Sequence, residues 1–139
     1  AIEMKVPQVV SVGALDMVNF GPMDTVPEKH KGRRLYKHNP TVTLMRTTEE
    51  ENREIARRLA EKWNQAETKM ALMLPLKGVS MIDGEGQPFD GPEEDKVLFA
   101  TLKENIHNEN VEIVEKELNI NDKEFALEAA KRLVALMEG

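Results

Sequence analysis

Met70-Ala71-Leu72-Met73-Leu74 is apolar at every position and stops at Pro75. A strand with one wet face alternates polar and apolar residues, so an unbroken apolar run of this length marks a strand buried on both faces. That is the habit of a parallel sheet covered by helices, and it limits the chain to α/β architectures. Proline ends the run, and Leu76-Lys77-Gly78-Val79-Ser80 follows at once. In parallel sheets, ligands sit at the carboxyl ends of the strands.

Three more strands are expected. Gln8-Val9-Val10-Ser11-Val12-Gly13 is a β-branched run ending in glycine, Leu35 to His38 is a second strand, and Val111 to Val114 is a fourth. Between Ala14 and Arg34 no period is sustained, and Gly21-Pro22, Pro27 and Gly32 punctuate a long irregular connection. Thr48-Glu49-Glu50-Glu51 reads as a capping box opening a helix that buries Ile55, Leu59 and Trp63 with Ala56 and Ala60. Pro92 suits the first position of a second helix, burying Val97, Leu98, Leu102 and Ile106. Asn121 with Glu124 reads as a capping pair before a third helix, with Phe125, Ala129, Leu133 and Met137 as its apolar stripe. The order β–loop–β–α–β–α–β–α predicts a three-layer α/β/α fold with a mostly parallel sheet of about four or more strands, Rossmann-like or flavodoxin-like.

Length and charge narrow the function. Residues 1–139 suffice for a single α/β domain. A net charge of −6 disfavours nucleic acid and anionic membranes as partners. No apolar run reaches the ~20 residues of a spanning helix. The absence of cysteine removes thiol chemistry and disulfides and fits a cytoplasmic location. The start at Ala1, without methionine and running almost directly into a strand, suggests a piece of a longer protein.

Several groups could carry chemistry. Lys77, Gly78 and Ser80 combine charge, close backbone approach and a hydroxyl, which suits an anion, although the P-loop spacing is absent. The bland alternative is a turn with a solvated lysine. Arg46 and Thr47 precede a helix N-terminus, where phosphate or carboxylate can be held, or where a cap and a surface arginine would look the same. His38 is a candidate acid or base. Asn39 either joins the polar set or caps a turn before Pro40. Asp16, Asn19 and Asp83 are expected on loops, with Asp16 or Asp83 as ligands for Mg²⁺. The remaining acidic residues from Glu85 to Asp95 read as a solvated lid and helix start, and Lys29 to Arg34 as a basic surface turn.

The blocks Gly13-Ala14-Leu15-Asp16-Met17-Val18-Asn19-Phe20-Gly21, His38 to Thr48 and Pro75 to Ser80 resemble a largely uncharacterised ATP-binding family. That family includes the N-terminal region of the tomato mosaic virus resistance protein. Gly86-Gln87-Pro88-Phe89 and Ile120-Asn121-Asp122 extend the likeness over nearly the whole chain. The pattern departs at Asn119, where members tend to carry histidine.

The resemblance implies a two-lobed α/β protein of which this chain is the C-terminal lobe, with ATP bound somewhere in the full domain and probable self-association. It supplies no reaction. The expected role is an anion-holding, polar cleft shared with the missing N-terminal lobe, for a phosphorylated or carboxylate small molecule. In that cleft Arg46 and Lys77 would neutralise charge, Thr47 and Ser80 would donate hydrogen bonds, and Asn19 and Asn39 would complete the polar set. The alternative is a dimerisation or protein-interaction module without catalysis. A small-molecule hydrolase or ligase built on His38 ranks below both.

Overall fold

A computed structural model describes residues 1–139. Six strands form two sheets of three. The first is parallel, in the order β1 (Gln8–Ser11), β5 (Met70–Pro75), β6 (Val111–Lys116). The second is antiparallel, with β4 (Val42–Arg46) between β2 (Met17–Phe20) and β3 (Leu35–Asn39). Helices α1 (Glu49–Trp63), α2 (Pro92–Asn105) and α3 (Lys123–Glu138) complete the chain.

The all-apolar run is the centre of the parallel sheet, and every residue of β5 is buried. Met70, Leu72 and Leu74, alternate residues and so on one side of the strand, join Ala56 and Trp63 of α1 and Leu98, Phe99 and Leu102 of α2 in the main core. The small side chains of Ala56 and Ala60 let α1 and α2 pack closely. Helix α3 rests on β1 and β5. The capping box at Thr48 forms as expected: Glu51 N–H donates to the Thr48 hydroxyl, and Thr48 N–H donates to the Glu51 carboxylate.

The expected parallel sheet of four or more strands is not what forms. Leu35 to Asn39 is a strand, but it turns back within Asn39-Pro40-Thr41 and pairs antiparallel with β4. A parallel partner needs a crossover of a dozen residues or more, and two or three residues permit only a hairpin. Strand β2, the other partner of β4, lies inside the stretch read as an irregular loop. Four residues between punctuating glycines give too little period to recognise. The N-cap of α3 is Asp122 rather than Asn121, with no side-chain cap bond, and Met137 is exposed rather than part of the buried stripe.

Candidate functional site

The carboxyl ends of the three parallel strands meet at one place. Past β5, the chain turns at Pro75–Gly78, where Gly78 N–H donates to the Pro75 carbonyl at 3.1 Å. Ala14, beyond β1, donates its N–H to the Val79 carbonyl at 2.9 Å. Ile120, beyond β6, donates to the Gly78 carbonyl at 3.0 Å. Asn119 ties the loops together, its amide nitrogen donating to the carbonyls of Lys77 at 3.3 Å and Ser80 at 2.9 Å. Gly78 has φ of +128°, and a Cβ there would lie 2.6 Å from both the Asn119 amide nitrogen and the Asp83 carbonyl oxygen. The residue at 119 is thus a structural tie between two strand exits.

These loops border an open cleft of about 650 Å³. Lys77 is its one cationic lining residue and stands exposed. Glu85, Asp90 and Asp122 supply negative charge, with Asn119 among them, and Asp83 and Asp95 line it while bonded to a buried arginine.

Behind the cleft lies a buried ion cluster. Arg46 is 2% exposed, and its Nη2 donates to Asp83 Oδ1 at 2.8 Å, Asp95 Oδ1 at 2.9 Å and the Gly91 carbonyl at 3.2 Å. Its Nε donates to the Phe89 carbonyl at 3.0 Å and its Nη1 to the Thr47 hydroxyl at 3.4 Å. One guanidinium therefore pins strand β4 to the 83–95 segment and the first turn of α2. Asp83 Oδ2 also accepts the Val79 N–H at 2.8 Å, joining the cluster to the β5 exit. Two carboxylates on one guanidinium nitrogen leave an excess negative charge in a buried place. Burial, then the hydrogen bond that the protonated carboxyl donates to Asp95, pushes the Asp83 carboxyl up to about 8. Burial raises Asp95 as well. Asp16 sits beside them, its Oδ2 accepting the Ser80 hydroxyl at 2.6 Å, and burial raises its pKa too.

The expected site residues separate into three groups. Lys77 and Asp83 line the cleft, with Gly78 and Ser80 on the same strand exit. Arg46, Thr47 and Asp16 are buried, and their polar atoms point inward: the Thr47 hydroxyl donates to the Leu15 carbonyl at 2.7 Å and accepts from Asn52 at 3.0 Å. His38, Asn39 and Asn19 lie on the antiparallel sheet instead. His38 is exposed at a β-bulge near the hairpin tip, and Arg46 ends β4 at the other end of that hairpin, about 14 Å along the strand at ~3.4 Å per residue. Asn39 caps the turn through Thr41 N–H at 2.9 Å. Asn19 is on β2 opposite Leu44, not on a loop. No three His, Asp or Glu side chains converge in a geometry suited to a metal ion. The basic stretch is absorbed structurally: Arg33 grips Glu51 bidentately at 3.0 and 2.7 Å, and Arg34 donates to the Asp90 carbonyl.

Asp95 is the cluster member that the sequence reading missed. Its signal was present, because Asp95, Leu98, Phe99 and Leu102 follow helical spacing on one buried face. A carboxylate on such a stripe needs a buried cation.

Comparison with known proteins places this geometry in a lineage. The chain is 61% identical over 138 residues to a UPF0261 protein of Clostridium tetani, covering 99% of this chain and 34% of that protein. It is 44% identical over 126 residues to the ToMV resistance protein Tm-1(GCR237) of Solanum lycopersicum, covering 90% of this chain and 17% of that one. A UPF0261 protein of Rhizobium meliloti is 47% identical over 121 residues, 86% of this chain and 30% of its own length. The chain thus spans between 17% and 34% of the length of these relatives. The sequence profile of the uncharacterised protein family (UPF0261) C-terminal domain matches residues 1–137, and the chain belongs to that family.

Proposed function

We propose that this domain is the C-terminal lobe of a longer ATP-binding α/β protein and forms one wall of its ligand cleft. The observation that carries the reading is the meeting of three parallel strand ends at one polar hollow. That is where open α/β sheets hold ligands, and about 650 Å³ is a volume typical of small-molecule sites. The same reading makes the parallel sheet part of a Rossmann-like layered lobe in a cytoplasmic, self-associating protein.

The residues fit a nucleotide in part. Glu85, Asp90 and Asp122 against one lysine disfavour a bare polyphosphate, and Arg46, Thr47 and Ser80 are bonded inward. The phosphates are therefore neutralised chiefly outside this domain and by Mg²⁺. Within it, Lys77 reaches an anionic oxygen, and Asn119 and the lining carboxylates take hydroxyl or amino groups of the ligand. Calorimetry on the full-length protein with Mg²⁺·ATP tests this. Lys77→Ala is expected to weaken binding about tenfold, as loss of one charge-assisted hydrogen bond does. Unchanged binding of every phosphorylated ligand would contradict it. An interaction module without chemistry is the second reading, favoured by the exposed apolar side chains of α3.

A further inference from the structure

Helix α3 carries a second apolar stripe beside its buried one. Phe125 is buried, and Ala129, Leu133 and Leu136 on the same side are half-buried or nearly so. At 3.6 residues per turn, Leu127, Ala130, Val134 and Met137 form a neighbouring stripe, about 125° round the helix. Leu127 is 49% exposed, Val134 53% and Met137 69%. A surface helix typically buries an apolar stripe about 100° wide, and one whose apolar arc runs well beyond that is normally covered on the added stripe too.

A second observation falls on the element beneath it. Strand β1, against which α3 rests, is the terminal strand of the parallel sheet. Gln8-Val9-Val10-Ser11 holds no charge, proline or bulge, so its shortness and the preceding Pro7 are all that guard its free edge. Relatives supply the third. The chain aligns over 99% of its length with a protein of which it forms 34%, so two-thirds of such a protein lies outside it.

We propose that the free edge of β1 and the outer stripe of α3 are one interface, covered by a strand and an apolar helix from the rest of the same polypeptide. A second copy related by a two-fold axis would pair β1 antiparallel with itself over only four residues. A segment of the same polypeptide pairs over the same four residues but arrives tethered at high effective concentration, which compensates for so short an edge.

The test uses the full-length protein. Leu127→Cys and Val134→Cys, made singly, are expected to react with a maleimide at least tenfold more slowly in the native state than in denaturant, at every protein concentration. In the unsubstituted protein, the β1 amides not bonded to β5 are expected to exchange hydrogen as slowly as those that are. Labelling at the denatured rate, or unprotected outward amides, would overturn the proposal. Protection that vanishes on dilution would assign the surface to a second copy and overturn it equally.

Discussion

Arg46→Met is expected to destabilise the domain by about 3–5 kcal/mol, the scale at which removing one partner strands buried charge. Asp83 and Asp95 would lose the one cation that faces both. The Phe89 and Gly91 carbonyls and the Thr47 hydroxyl would also lose the donor they share. Urea unfolding of residues 1–139 measures it, and a loss below about 1 kcal/mol at neutral pH would mean that the cluster is not the clamp described. The pH dependence has a fixed sign. Asp83 holds a proton up to about 8 in the fold but only to about 3.8 when unfolded. Between those values the folded state binds the extra proton, so this group's stabilisation is full below about 3.8 and is lost as pH rises through about 8. Arg46 lowers both carboxyls, so without it they rise further and the variant loses stability more steeply toward alkaline pH.

Gly78→Ala is expected to cost about 2–4 kcal/mol, from a strained positive φ together with a steric clash. A φ of +128° is open to glycine and nearly closed to other residues, and the new methyl group would meet backbone at Asp83 that cannot move alone. The same substitution at Gly86, where φ is +75° and nothing lies within 4 Å, should cost less. Comparing the two by denaturant unfolding separates the clash from the backbone term. Equal losses would show that the packing of Gly78 against Asn119 and Asp83 contributes nothing.

Local pattern made part of this molecule readable. Five apolar residues ended by a proline are too few for a buried helix and fit a buried strand, and the Thr48 and Glu51 side chains satisfy helix N–H groups as that spacing predicts. The β2–β4–β3 sheet was not readable because its evidence is pairing rather than period. Pro40 after His38-Asn39 looks the same at a strand exit and at a hairpin turn, and only β4 decides between them. Arg46 is the sharper case. As a lone arginine before a helix it reads as free to hold an anion, while the carboxylates that occupy it lie 37 and 49 residues further along. The cleft fared better, since Lys77, Gly78 and Asp83 sit on a single strand exit. Asn119 reaches that exit from another strand, and no local spacing announces it.

NMR titration of the full-length protein with Mg²⁺·ATP tests the cleft most directly. Shifts concentrated at the amides of residues 76–80, 83–91 and 118–122, with the 37–42 hairpin unmoved, are the expected result. Shifts centred on His38 and its hairpin, with residues 76–80 and 118–122 silent, would put the ligand elsewhere and contradict the account.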